Sequence, residues 1–403
     1  MKYHLITLGC QMNQNESERI AAFFEENGMQ KETLENADIV VINACSIRKS
    51  ATDKIHGKMK NIRKMGKKTV LTGCVLKEDL KKMEKMFDYM LESHDVANWP
   101  FFNQKKDFFQ ISPKRKGPSA LVSIMTGCDN FCSYCVVPHT KGREKSRNWK
   151  EVVEEVKKAV AEGAKEIWLL GQNVNSYSGG TTFDELLRKI NEIEGDFWIR
   201  FTSSHPKDFS NEVIKAISEC DKVTEYLNLP VQSGDNKILK AMNRPYTVEE
   251  YKEIINSVKK TVPGIVLSTD IIVGFPGETE SNFRNTVKLF MEVEFEMAYI
   301  SCYSPRPGTV AEKIKDNISL EEKKRREKVL TELLKEITLS KNEKYKGEEV
   351  DVLVLKSKKN LLMGKTRGYK SVTFEGPQKL VGNFAKVKIT KVSPWGLKGK
   401  LLS

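Results

Sequence analysis

Three cysteines in the stretch GCDNFCSYCVVPHTKGRE, Cys128, Cys132 and Cys135, stand in the spacing C-x3-C-x2-C. Thiolate is the usual ligand of iron–sulfur clusters, and three thiolates converging from one loop bind three irons of a 4Fe–4S cluster. No fourth cysteine follows nearby, so one iron is left open to an external amino acid. A structural zinc site is normally closed by four ligands. His139 would complete such a Cys3His set, and that is the alternative reading.

Three further cysteines form a second group. LGCQMNQNESE, NACSIRKSA and TGCVLKE place Cys10, Cys45 and Cys74 each just after an apolar run. Any one alone reads as a buried core cysteine. Together, at the carboxyl ends of parallel strands, they share one sheet edge and reach a single cluster. Cys220 and Cys302 lack such company and read as packing residues.

The elements that must position these groups follow from hydrophobic periodicity. Residues 1–116 read as a Rossmann-like α/β domain, with strands YHLITLG, ADIVVINAC and KKTVLTGC and a helix SERIAAFFEENG ending at Gly28. FNQKKDFFQISPKRKGPS (102–119) reads as a linker. Residues 117–338 alternate strands and helices in about six repeats, the pattern of a partial or full (β/α) barrel. Residues 320–345 form a long charged helix. In 339–403 short strands such as DVLVLK, SVTFEG and FAKVKITKV predict a small antiparallel, OB-like barrel.

Several loops after barrel strands carry polar residues suited to ligand contact. These are Gly171, Gln172 and Asn173 in LLGQNVNSY, Ser203 with Ser204 and His205, and Gln232 with Ser233. Arg244, in MNRPY, suits a carboxylate or phosphate. GFPGET lacks the Gly-Lys-Ser/Thr ending of a phosphate loop and reads as a strand-to-helix turn. KGREKSR (141–147) reads as an RNA contact or a solvated turn. The net charge is +13, and residues 341–403 hold 15 Lys/Arg against 5 Asp/Glu. That imbalance is the footprint of a polyanion partner. Lys365, Arg367, Tyr369, Lys370 and Phe374 interleave charge and aromatics, as phosphate contacts and base stacking require. No apolar run is long enough to span a membrane and the N-terminus reads as a strand, so the expected location is the cytoplasm.

The C-x3-C-x2-C after a barrel's first strand resembles the radical S-adenosylmethionine (SAM) superfamily. With the N-terminal cysteines and the basic tail, the whole chain resembles its methylthiotransferase family. The carrying stretches are GCQMNQNESE, NACSIR, GCDNFCSYCVVPHTKGREKSR, LLGQNVNSY, RFTSSHP, LPVQSGDNKILKAMNRPYT and DIIVGFPGET. The resemblance implies two 4Fe–4S clusters, on Cys128/Cys132/Cys135 and on Cys10/Cys45/Cys74. It implies SAM on the open iron of the first, with Tyr134 near the adenine and Gly171, Gln172 and Asn173 near the methionyl amine; Ser203 and Gln232 by position, and Arg244 by its chemistry, are further candidate contacts. It makes 339–403 a TRAM domain that grips the tRNA anticodon arm. The implied reaction converts N6-isopentenyladenosine at tRNA position 37 to its 2-methylthio derivative, using two SAM, a sulfur donor and an electron donor such as flavodoxin or ferredoxin. Open alternatives are threonylcarbamoyl-adenosine or a ribosomal protein aspartate as substrate, and a non-catalytic zinc and RNA-binding protein.

Overall fold

The computed structural model describes residues 1–45, 49–102 and 104–402. Ser46, Ile47 and Arg48 of the NACSIR stretch lie outside the described residues. The first unit contains β1 (Lys2–Leu8), α1 (Gln11–Glu26), β2 (Gln30–Lys31), β3 (Ile39–Cys45), α2 (Lys49–Ile62), β4 (Lys68–Cys74), α3 (Lys77–Met83) and β5 (Tyr89–Met90). All five strands are parallel, in the order β2-β1-β3-β4-β5. This is the flavodoxin-like variant of the doubly wound fold, whose switch point lies between β1 and β3. Strand β3 is buried along its whole length, as a central parallel strand covered on both faces must be.

The central unit has six principal strands, β6 (Ser119–Ser123), β9 (Glu166–Leu170), β10 (Trp198–Phe201), β11 (Tyr226–Asn228), β12 (Val266–Val273) and β13 (Met297–Cys302). Between β6 and β9 lie a short antiparallel pair, β7 (Met125–Thr126) and β8 (Lys145–Ser146), with α4 (Val137–Lys141) inside it and α5 (Trp149–Ala161) after it. The helices α6 (Phe183–Asn191), α7 (Asn211–Glu219), α8 (Asn236–Ala241), α9 (Val248–Thr261) and α10 (Glu280–Val293) cover the outside. The strands run parallel as β6-β9-β10 and β11-β12-β13, joined by a parallel bridge between Ile199 and Val223. Among the described residues no pairing joins β13 back to β6, so the barrel is partial. Helix α11 (Leu320–Glu343) packs against β13 and α10 and leads to the last unit.

That unit is a closed barrel of β14 (Glu349–Lys358), β15 (Leu361–Thr366), β16 (Ser371–Glu375), β17 (Phe384–Ser393) and β18 (Gly396–Leu401). It departs from the expected all-antiparallel form in one pair: β16 and β18 are parallel, because β18 returns to close the barrel.

Polar residues dock the units. Asn15, Glu16 and Arg19 of α1 are buried. Asn15 donates to the Leu121 carbonyl at 2.7 Å, and Arg19 pairs with Glu155 at 2.5 Å. Arg19 also donates to the carbonyls of Phe109 and Ile111. The stretch expected as a linker is therefore packed against the first unit, with its own Phe108 and Ile111 buried.

Candidate active site

Cys45 and Cys74 end neighbouring parallel strands and are directly paired in register. Cys10 is the N-cap residue of α1, two positions past the end of β1. The three therefore gather at the switch-point edge of the first sheet. Asn13 stands between them: its amide donates to Asn43 Oδ1 at 3.0 Å and approaches Cys74 Sγ at 3.9 Å, while the Cys10 thiol lies 3.5 Å from its oxygen. Asn43 returns a hydrogen bond to the Asn13 carbonyl at 2.9 Å, which fixes the pair. Gly73 has φ +102, and a Cβ there would strike the Ala44 carbonyl, so only glycine lets β4 deliver Cys74 this close to β3. Burial raises the Cys10 pKa, and the neighbouring Cys45 thiol together with burial raises that of Cys74. These thiols stay protonated until a cation displaces their protons.

Cys128, Cys132 and Cys135 lie in the loop between β7 and α4. Each sulfur meets one donor at 3.5 Å: Asn130 Nδ2 on Cys128, Arg244 Nη1 on Cys132, and the Val137 backbone N–H on Cys135. Burial pushes Cys135 up to about 12. Arg244 is buried and also donates to the Pro230 carbonyl and the Tyr246 hydroxyl. It is thus aimed at the Cys132 sulfur, a partner that its sequence context did not suggest. Tyr134 packs against the apolar cluster of Met242, Phe275 and Tyr303.

His139 is exposed on α4. Among the described residues, no three His, Cys, Asp or Glu side chains stand close enough to share one metal ion. A zinc ion needs its thiolates on a single centre, whereas a cluster spreads them over separate irons. Two open three-thiol sets, each sulfur of the second already met by a donor, fit clusters better than zinc.

KGREKSR is neither a solvated turn nor an RNA contact at its two buried cations. Lys141 is buried and ion-paired with Glu16 of α1, beside Cys74. Arg147 pairs with Glu155 at 2.8 Å. Lys141 therefore ties the loop of one cysteine set to the other.

A cavity of about 720 Å³ opens between the first cysteine set and the central barrel. One wall carries Cys10 and Cys45, and the other Trp168, Ser203, Tyr226 and, from the C-terminal barrel, Tyr369. Ser203 and Gln232 both adopt left-handed backbone, φ +65 and +72, rare for residues with a Cβ and concentrated at functional sites.

Residues 122–290 match the Radical SAM superfamily, residues 2–92 the Uncharacterized protein family UPF0004, and residues 343–402 the TRAM domain. A tRNA-2-methylthio-N(6)-dimethylallyladenosine synthase of Clostridium botulinum (strain Langeland) is 40% identical over 99% of this chain and 96% of that protein. The synthase of the same description from Bacillus cytotoxicus is 39% identical over 100% of this chain and 86% of its own length. The chain belongs to this methylthiotransferase family. Among solved structures it resembles the radical SAM methyltransferase TsrM of Kitasatospora setae, with TM-score 0.58 and 14% identity over 77% of each chain. The cobalamin-dependent radical SAM enzyme OxsB has TM-score 0.55 at 11% identity over 83% of this chain and 56% of the other. Those two likenesses concern the fold.

Membership of a SAM-using family gives meaning to a group of orphaned polar atoms. Gln172 Oε1, Asn173 Oδ1, both polar atoms of the Asn175 amide, Ser204 Oγ and His205 Nε2 are buried with no hydrogen-bond partner among the described residues. All follow β9 or β10, at the mouth of the barrel. Buried polar atoms are normally satisfied, so this concentration fits a polar ligand. Gly171 belongs to the same loop; a Cβ there would meet Met125, so it serves close packing beneath the mouth. Asn175, Ser204 and His205 extend the set read from sequence, their only signal being their place after a strand.

His205 offers a check. The Lys207 backbone N–H donates to its Nδ1 at 3.2 Å, so the proton sits on Nε2. Burial, with Arg244 and Lys207 nearby, depresses its pKa to about 2. The unfolded chain takes up this proton below about pH 6.5, and the folded chain does not, so stability falls as pH drops, by at most about 1.4 kcal/mol per unit. Urea unfolding at pH 7 and pH 5 is expected to show a flatter pH dependence for His205→Gln than for the unaltered chain. Equal slopes would mean that the folded protein protonates the ring.

Proposed function

We infer that this chain is a radical SAM enzyme that converts N6-isopentenyladenosine at tRNA position 37 to its 2-methylthio derivative. The observation that carries the reading is the cavity bounded by Cys10 and Cys45 on one side and the barrel interior on the other. Cys128, Cys132 and Cys135 hold one 4Fe–4S cluster and Cys10, Cys45 and Cys74 the other. When bound, the clusters and SAM supply a carbon radical able to break an inert adenine C–H bond and a sulfur able to accept a methyl group. The chain's own residues hold that chemistry in register. Arg244 lays positive charge against Cys132, Asn13 spaces Cys10 from Cys74, and Lys141 with Glu16 fixes the distance between the two loops. Gln172, Asn173, Ser203, Ser204 and His205 offer polar atoms to SAM at the barrel mouth, and Tyr134 and Gln232 flank it.

The RNA is held outside by the C-terminal barrel. Lys388 faces Lys400 and Lys391 faces Lys398 across β17 and β18, all four exposed. Like charges opposed in this way repel, and a phosphate backbone relieves them. A sulfur donor and a one-electron donor such as flavodoxin or ferredoxin complete the reaction. Among the described residues no helix is long and apolar enough to cross a membrane, and tRNA as substrate supports a cytoplasmic location.

The test is an anaerobic assay of the reconstituted protein with SAM, sulfide and a chemical reductant, on tRNA bearing isopentenyladenosine or threonylcarbamoyl-adenosine. Nucleoside mass spectrometry is expected to show the methylthio product on the first RNA alone. Product on the second alone would reassign the substrate.

A further inference from the structure

The aromatic wall of the cavity has two origins. Trp168 and Tyr226 come from β9 and β11, whereas Tyr369 sits in the turn between β15 and β16. The Tyr369 ring lies 4.9 Å from that of Tyr226 and 5.2 Å from that of Trp168, centroid to centroid. Its backbone is left-handed at φ +63, a costly conformation for tyrosine, which persists only where the surroundings impose it. Here they do. The Tyr369 N–H donates to the Thr366 carbonyl at 2.9 Å, the Thr366 N–H to the Lys370 carbonyl at 3.0 Å, and Arg200 from β10 holds the Thr366 and Arg367 carbonyls.

The same turn carries the charges expected from sequence to face RNA, and they face the central barrel instead. Arg367 binds Glu225 through both carboxylate oxygens, and Lys370 pairs with Glu296 at 2.8 Å. Behind the wall, Arg200 and Lys365 are already turned to protein oxygens: Arg200 to Glu166, Thr224 and the two carbonyls, Lys365 to the Tyr369 carbonyl and Ser371. Lys365 Nζ and the Arg200 guanidinium also lie over the Tyr369 ring, 4.1 and 5.1 Å from its centroid, so what the three rings add to the cavity lining is aromatic carbon backed by cations already engaged.

We propose that Trp168, Tyr226 and Tyr369 seat the N6 substituent of the substrate adenine, so that the C-terminal barrel selects the modified base at the reaction site besides holding RNA outside it. This rests on the function proposed above and names how its substrate is chosen. An isopentenyl chain is uncharged and packs against ring faces. A threonylcarbamoyl chain carries a carboxylate, to which aromatic carbon offers no hydrogen bond.

The test compares the unaltered chain with Tyr369→Phe and Tyr369→Ala, each reconstituted and full length. Equilibrium binding is measured to an anticodon stem-loop RNA carrying either isopentenyladenosine or plain adenosine at position 37. The unaltered chain and Tyr369→Phe are expected to prefer the modified RNA about tenfold, as one well-buried aromatic contact allows. Tyr369→Ala is expected to lose that preference while binding plain RNA unchanged. A preference retained in Tyr369→Ala overturns the proposal. So does an equal loss for both RNAs, which would make Tyr369 only a docking residue of the C-terminal barrel. If the unaltered chain itself shows no preference, the isopentenyl reading fails first and this inference falls with it.

Discussion

A chain carrying Cys10→Ala, Cys45→Ala and Cys74→Ala together is expected to retain about four irons where the unaltered protein holds about eight, since each three-cysteine set supports one 4Fe–4S cluster. The variant should still cleave SAM, because Cys128, Cys132, Cys135 and the Arg244 contact lie in the other unit. It should form no methylthio product. The fold should survive. Cys45 and Cys74 are buried, but alanine leaves only small voids at the edge of a sheet whose interior is made by Val40, Val41, Ile42, Val70 and Leu71. Anaerobic iron and sulfide analysis measures the first claim, and methionine and 5′-deoxyadenosine release the second. If both proteins hold about four irons, the N-terminal thiols are packing residues, and the methylthio transfer proposed here loses its sulfur site.

The gathering of Cys10, Cys45 and Cys74 was legible from sequence because each follows an apolar run and a parallel sheet brings its strand ends to one edge, while the C-x3-C-x2-C spacing put Cys128, Cys132 and Cys135 in one loop. The register that pairs Cys45 with Cys74 was not legible, since it depends on Gly73 allowing the strands to close up. Buried polar residues were the hardest to read. Asn13, Glu16 and Arg19 sit in a stretch that looks like a solvated helix face, yet all are buried. Their partners lie on other units, such as Lys141 for Glu16 and Glu155 for Arg19, and a linear sequence does not show which distant charge meets which. One stretch of the tail, 365–370, was misread for the same reason. The tail's excess of lysine is real and outward on β17 and β18, but the stretch richest in mixed charge and aromatics turns inward. Strand β18 was not foreseen; GLKGKL carries few β-branched or aromatic residues, and it forms because the barrel needs a closing strand.

Arg200 holds that inward turn beside the Arg367–Glu225 and Lys370–Glu296 pairs, and its loss carries the second large expected effect. Arg200 is fully buried and pairs with the equally buried Glu166 at 2.5 Å. Replacing it in Arg200→Met leaves the Glu166 carboxylate in the interior with the Ser119 hydroxyl, and removes the Arg200 donor from the Thr366 and Arg367 carbonyls, of which Thr366 keeps the Tyr369 N–H. Removing one partner of a buried pair costs about 3–5 kcal/mol, chiefly because the other charge stays buried. The first urea transition should fall accordingly, and protease should cut sooner between α11 and β14 as the C-terminal barrel loosens. The double change Arg200→Met with Glu166→Leu separates the two contributions. It removes the stranded charge and should recover most of the stability, but it cannot restore the grip on the 366–370 turn. Its cavity should therefore stay open on the Tyr369 side, with stability near normal and methylthio transfer still impaired. A single variant that loses less than about 1 kcal/mol would place the buried charge in contact with water and remove the reason for the coupling. A double variant with full activity would show that Glu225 and Glu296, through Arg367 and Lys370, suffice to hold the turn in place.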